Sequence, residues 1–459
     1  MKILKKIIVV LILTIQVKFA LALDLEVYQA VEMLKDFQAQ QLNYCYQKFF
    51  RIKGLYKSSP YVKEVDTATS GFALAGLALS AQKGLISNEQ ARDMFLETVE
   101  SCLSLQESQD QSYSGFLYHF YVPDSSGKKL VHKPGVEVSI IDTSILLAGI
   151  ITASEYLVSQ GYFECREKAD QFYSNIEWRE FFNGGRKQFH MGWNNGFFGF
   201  WDFYTDEILL ISILAQGSPV VDHRVDIRDS FGNITVKEGV YKDHRYVYSW
   251  YGSLFTYLFA HAFIDFRRLD NDLLYNVDWW ENTKDAVLAD LKWCSDNDYP
   301  ENIFGVSACW SKISVGSSAM EYRDRVGGAL SGAGESERFY NSKNGIKPIA
   351  PYAAIGSMPF FQEQAILDNP AFLMFYKVRN KAFDKTGLLV ESIDAGSLDY
   401  DGVPEVNSHW VVGMDVIFPA LMVENYFSEF VWENFMQSRN IQFALLKTFP
   451  AYFTYLVRR

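Results

Sequence analysis

Residues 189–217 read FHMGWNNGFFGFWDFYTDEILLISILAQG. The rings of Trp193, Phe197, Phe198, Phe200, Trp201, Phe203 and Tyr204 are spaced by Gly192, Gly196 and Gly199. Asp202, Asp206 and Glu207 then lead directly into the apolar run Ile208 to Ala215. Glycine lets the backbone turn tightly and present rings that would otherwise pack inward. A helix start favours negative charge, so one acid at that point explains itself without any function. Three acids beside a row of rings ask for more. Flat apolar faces and carboxyl groups at a helix mouth point to a carbohydrate site with acid–base chemistry.

Outward from that stretch the periodicity is helical. Apolar, small-residue helices are expected at about 66–82, 140–157, 206–216, 252–266, 350–358 and 411–426. More amphipathic ones are expected at about 27–52, 87–105, 162–178, 276–297, 360–379 and 429–446. A helix apolar on every side is buried and an amphipathic one faces solvent. Six of each, alternating along the chain except between 206–216 and 252–266, describe an all-α (α/α)6 toroid, with Pro419 kinking the sixth inner helix or marking its true start. A small β-hairpin insertion is expected over 222–248 with its turn at Phe231-Gly232-Asn233, and 298–348 reads as a long loop. VDTATSGFALAGLAL at 65–79 echoes IDTSILLAGIITAS at 141–154, although an aspartate cap accounts for each separately. Parallel inner helices put their first turns at one end of the ring. Asp66, Glu137, Asp142, Glu207 and Asp415, with Tyr248, Trp250 and Tyr251, would then surround one funnel.

Residues 1–22 read as an export signal, with Lys2, Lys5 and Lys6 before an apolar run and Ala20-Leu21-Ala22 as the cleavage site. Residues 23–459 then form a single catalytic domain in the periplasm or outside the cell, a monomer without membrane insertion. The formal charge is −12, and loss of the four leader lysines makes it more negative still. That excludes nucleic acid as partner and suits a neutral oligo- or polysaccharide. Cys45, Cys102, Cys165, Cys294 and Cys309 match no zinc spacing and leave room for one or two disulfides after export.

The segments GFLYHFYVPDSSGKK, EVSIIDTSILLAG, GWNNGFFGFWDFYTDEILLISILAQGSP, YGSLFTYLFAHAFIDFR, APYAAIGSMPF and LMVENYFSEFVWENFM occur in this order. Together they resemble the glucoamylase-like (α/α)6 family, which includes bacterial endo-β-1,2-glucanases and the C-terminal part of cyclic β-1,2-glucan synthases. The resemblance covers residues 40–445. It implies an endo-acting, inverting glycoside hydrolase of a β-glucan, β-1,2-linked, with two carboxyl groups and neither metal nor cofactor. Carried over, Glu207 is the general acid, Asp415 the base-side carboxylate, and Asp142 with Glu137 a further acidic motif. Asp415 stands in GMDVIFP, where the family has Asp-Gln-Gly-Pro; Val416 and Ile417 replace the middle pair. His119, Trp193, Phe198, Trp201, Tyr204, Trp250 and Tyr251 are the expected substrate contacts, with core packing the alternative for the rings. Two other functions stay open: a β-glucan phosphorylase, using Arg323, Arg325 or Arg338 for phosphate, and a glucan-binding protein without activity.

Overall fold

The computed structural model describes residues 2–249, 252–314, 317–323, 328–330 and 346–458, with backbone alone for 2–23, 323 and 458. Trp250, Tyr251, Arg325 and Arg338 therefore lie outside the described residues, as does the side chain of Arg323.

The inner ring is built from helices Thr67–Gln82, Ile140–Ser159 and Asp206–Gly217, an irregular segment over 254–263, helix Pro351–Gly356 and helix Gly413–Ser428. Each packs on the next, 254–263 meeting Pro351–Gly356 through the rings of Phe259 and Tyr352, and Gly413–Ser428 packs back on Thr67–Gln82 to close the ring. Nearly every residue of Thr67–Gln82 and Ile140–Ser159 is buried, as expected of helices apolar on all sides. These two approach backbone to backbone: a Cβ on Gly149 would stand 1.8 Å from the Gly71 carbonyl oxygen. No side chain fits there. Pro419 lies inside Gly413–Ser428, and the helix runs through it. Its missing N–H leaves the carbonyl of Asp415, four residues earlier, without a helical donor.

Helix Lys2–Tyr46 from residue 27 onward, with the amphipathic helices Asn88–Glu107, Glu164–Ser174, Trp279–Asp296 and Pro370–Val378, forms the outer layer together with the C-terminal helices. Strict alternation breaks once: no outer helix separates Asp206–Gly217 from 254–263. Helix Arg439–Thr448, returning from the far end of the chain, packs against Asp206–Gly217 instead. Helix Phe430–Gln437 packs on Ile140–Ser159, where Phe430 meets Tyr156 near that helix's C-terminus, 5.4 Å between ring centroids.

Several elements differ from their sequence expectation for local reasons. The segment 252–266 is a series of 3-10 turns, Leu254–Tyr257, Ala260–Ala262 and Phe266–Arg268. Side chains take its backbone groups: Asp206 accepts from the Ala260 N–H at 2.8 Å, and Thr283 donates to the Tyr257 carbonyl at 3.3 Å. Phe231–Asn233 closes a helical turn instead of a hairpin, because the Asn233 amide donates to the carbonyls of Arg228 and Asp229. The hairpin pairs Glu238–Tyr241 with His244–Val247, and Lys242 takes the positive φ of its turn. The expected 429–446 helix divides at Ser438 into Phe430–Gln437 and Arg439–Thr448. Asn369 caps a shorter Pro370–Val378, replacing the expected 360–379 helix. The long 298–348 stretch contains a hairpin, Cys309–Lys312 against Met320–Arg323. All five cysteines are buried, and Cys45, Cys102, Cys165 and Cys294 hold free thiols, so the room left for disulfides is not taken up among the described residues.

Short strands lead into three of the inner helices. Val65–Asp66 precedes Thr67, Val138–Ser139 precedes Ile140, and Pro348–Ile349 stands just before Pro351. They fix where each first turn begins.

Candidate active site

A cavity of about 320 Å³ opens at the first turns of the inner helices. Its wall carries His119, Glu137, Asp142, Glu207, Glu391 and Asp415 together with Phe198, Trp201, Phe255, Phe259, Tyr322 and Tyr352.

The aromatic stretch builds one side. Gly192–Trp193 forms the middle strand of a small sheet, between Phe197–Phe198 and Val138–Ser139. The Phe198 ring lies directly over Gly192, where a Cβ would meet it at 2.7 Å. The hairpin thereby holds Phe198, 46% exposed, over the cavity. Trp201 lies deeper, and among the described residues its buried indole N–H has no partner. Two expected platforms turn out otherwise. Tyr204 is fully buried and stacks on Trp279 at 4.4 Å, which makes it core. Trp193 stacks on Tyr113 at 4.6 Å and does not reach the cavity wall. Two rings so matched in area and orientation exclude water better against each other than either does alone. If a sugar ring packs on Phe198, Phe198→Ala should weaken saccharide binding by about 1–3 kcal/mol, by analogy with stacked bases. Calorimetric titration with a bound oligosaccharide would measure it, and unchanged affinity would remove the platform.

Thr205 caps helix Asp206–Gly217 by accepting from the Ile208 N–H. The two acids of its first turn then separate. Asp206 faces the core, bonded to Ala260 and 3.3 Å from the His261 imidazole. Burial pushes Asp206 well up and His261 down to about 3, so this contact joins neutral groups. Glu207 faces the cavity. Burial, reinforced by the Asp142 carboxylate, raises its pKa to about 8. The carboxyl group holds its proton at neutral pH.

The apparent repeat of Asp-Thr is not a repeat in register. Asp66 is the N-cap of its helix, accepting from the N–H groups of Ala68 and Thr69 and from the Thr69 hydroxyl. Asp142 stands three residues beyond its cap, Ser139, which accepts from the Asp142 N–H. That offset turns the Asp142 carboxylate toward the cavity.

His119 lies between these two helix starts. Its carbonyl accepts from Thr67 N–H at 3.1 Å and its N–H donates to the Glu137 carbonyl at 2.9 Å. Its ring stacks on Phe120, with Nδ1 3.3 Å from Glu137 and Nε2 3.7 Å from Asp142. Burial alone would lower its pKa; Asp142, Glu137 and Asp66 outweigh that and lift it to about 9. The resulting imidazolium holds Glu137 in the ionised form, below the usual carboxylate range. Asp66, His119 and Asp142 present donor atoms within 4.8 Å of one another, a spacing that would admit a metal ion. Both Asp66 oxygens already accept bonds from Ala68 and Thr69, which leaves little unsatisfied charge for one.

Asp415 begins the sixth inner helix on the cavity wall. Glu391 is beside it, a residue the sequence reading passed over. Its backbone N–H donates to the Trp410 carbonyl at 2.8 Å, at the entrance of strand Ser392–Leu398. Tyr322, from the 298–348 hairpin, was also missed; its one sequence signal was the unusual length of that loop. Glu424 and Asn425, late in the sixth inner helix, bond to Gln38, Lys83 and Ser428 and to the Ala262 carbonyl, away from the cavity.

A family model described as "Putative glucoamylase" matches residues 200–439. An endo-β-1,2-glucanase from Chitinophaga pinensis, solved with sophorotriose and glucose, superposes with a TM-score of 0.68 at 20% identity, covering 91% of this chain and 97% of that one. A protein of Bacteroides uniformis ATCC 8492 that carries the family's description gives 0.71 at 17%, covering 92% and 98%. The endo-β-1,2-glucanase of Talaromyces funiculosus, solved with β-1,2-glucan, gives 0.63 at 12%, covering 94% and 91%. No curated protein sequence matches the chain. These likenesses agree with the ring derived above in showing an (α/α)6 toroid. Since the family model spans more than half of the sequence, the chain belongs to the glycoamylase family.

Proposed function

We propose that the protein is an exported, inverting glycoside hydrolase that cleaves β-1,2-glucan internally. The observation that carries this reading is Glu207, a carboxyl group protonated at neutral pH on the wall of a ring-lined cavity that also holds Asp415. Glu207 donates its proton to the leaving glycosidic oxygen. A water on the opposite face of the sugar attacks the anomeric carbon and gives its proton to the Asp415 side. Inversion by this route uses carboxyl groups about 6.5–9.5 Å apart, with room for the water between them. Glu137, Asp142 and the His119 imidazolium offer hydrogen bonds to sugar hydroxyls, and Phe198 and Trp201 offer apolar faces. The solved relatives with bound sophorotriose and β-1,2-glucan support the choice of linkage, and the lysine-led apolar N-terminus supports export.

The chemistry of the wall disfavours phosphorolysis. Among the described lining residues His119 is the one basic side chain, and it is already held by two carboxylates. Incubating the protein with linkage-defined glucans, with and without phosphate, tests the reading. The expected result is hydrolysis of β-1,2-glucan, unchanged by phosphate, with the α-anomer appearing first in proton NMR of the new reducing end. Initial β-anomer would exclude inversion, a sugar 1-phosphate would make the protein a phosphorylase, and binding without cleavage would leave only the carbohydrate site. Asp415→Asn should lower turnover at least about a hundredfold.

A further inference from the structure

Asp415 and Glu391 are both buried, Glu391 almost completely at 1% exposure, and their carboxyl groups lie within hydrogen-bonding reach of each other. Among the described residues Glu391 Oε2 finds no donor. The groups that act on the pair are the Trp310 backbone N–H, which donates to the Glu391 carboxylate, Asp66 at the start of the first inner helix and Tyr352 on the fifth, with Tyr322 from the hairpin near Tyr352. Among the described residues no cation acts on either carboxyl. Two carboxylates in contact, out of water and without a counter-charge, repel too strongly for both to ionise. One proton between them removes the repulsion and satisfies the orphaned oxygen at once.

We propose that Glu391 is the positioning partner of Asp415, the two carboxyl groups sharing a single proton and serving as one base-side unit. The inference rests on the hydrolase reading above. Burial lifts both groups, Glu391 to about 7, in keeping with a proton retained by the pair. The shared proton holds the Asp415 carboxylate in one orientation while the pair keeps one negative charge for the attacking water. In turnover the glycosidic carbon–oxygen bond breaks as the new carbon–oxygen bond to water forms. Glu207 gives its proton to the leaving oxygen, and the proton lost by water enters the pair, which then holds two. Release of one to solvent, and uptake of one by Glu207, restores the starting state. A carboxyl dyad titrates in two separated steps that belong to the pair, the first of them lowered by the shared proton.

The test compares Glu391→Leu, Glu391→Gln and the wild type, each checked for native folding by circular dichroism. Leucine fills the space without a donor, so Asp415 must ionise alone in an apolar site. The acidic limb of kcat/KM should then move up by about one pH unit or more, the threshold of a strong coupling. Glutamine can donate from its amide in place of the shared proton, so its limb should stay near the wild-type position. A limb unmoved in Glu391→Leu, or moved equally in both variants, would overturn the proposal. Infrared titration of the carboxyl bands supplies a readout without substrate. The wild type should show two steps that both Glu391→Leu and Asp415→Asn replace by one step at a different pH. If each variant merely deletes one step and leaves the other in place, the carboxyls are independent and the proposal fails while the hydrolase reading stands. If the pair titrates as expected but no glucan is cleaved, the hydrolase reading fails instead.

Discussion

Glu207→Gln is expected to lower turnover at least about a hundredfold and to make the folded protein more stable at neutral pH. Glutamine keeps the shape of the side chain but has no proton to give to a leaving oxygen, and general acid catalysis contributes at least that factor. The stability change follows from the proton itself. Glu207 has an ordinary value of 4.5 and is raised to about 8 in the folded protein, chiefly by burial. The folded state therefore holds the proton more tightly than the unfolded chain. Its contribution to stability is fully present below about pH 4.5 and is lost as pH rises toward about 8. At pH 7 that loss is on the order of 3 kcal/mol, from the differential binding of one proton. A glutamine suffers none of it. Urea unfolding at pH 4 and pH 7 should show similar stabilities at the lower pH and a more stable variant at the higher one. An equal gap at both values would show that Glu207 is not held protonated. The same raised value predicts that wild-type activity falls as pH passes about 8, where the acid loses its proton.

Gly149→Ala is expected to prevent folding. The new methyl group would stand 1.8 Å from the Gly71 carbonyl oxygen and 2.5 Å from its carbon, and a methyl on Gly71 would stand 2.3 Å from the Ile145 carbonyl oxygen. Both partners are backbone inside buried inner helices, so neither can swing away as a side chain would. The helices would have to separate, and with them the first turns that carry Asp66 and Asp142. Overpacking of this kind costs more than about 3 kcal/mol when nothing can relax. The measurement is soluble yield and thermal unfolding, set against Gly184→Ala, where no atom lies within 4 Å and the change should be within about 0.5 kcal/mol. A stable, soluble Gly149→Ala protein would show that the two helices are not in backbone contact.

Much of the ring was legible in the sequence because burial on every side leaves a composition that survives local irregularity. Runs such as GFALAGLALSA and ILLAGIITAS can only be interior. The charged helices between them can only be outside. The first-turn acids were equally legible, since a polar residue at the mouth of an apolar helix has few other reasons to be there. Where the reading failed, a competing bond decided. The 252–266 segment looks helical by pattern, yet Asp206 and Thr283, distant in sequence, take its backbone groups. Phe231-Gly232-Asn233 looks like a hairpin turn, yet the Asn233 side chain finds helical carbonyls first.

What the sequence determined by itself is where most of the ring's helices lie, the layer each occupies, and the end of the ring where acids and rings collect. Only the tertiary structure decided which of those groups meet. Tyr204 and Trp201 are three residues apart in one aromatic run, but Trp279 covers the first and the cavity receives the second. Asp206 and Glu207 are neighbours, yet one helical step of about 100° turns the first to His261 and the second to the cavity. Glu391 carried no signal at all, being one acid in a short strand-like stretch. Its position against Asp415 comes from pairing between chain segments that no local pattern encodes, since strand registry depends on partners elsewhere in the chain.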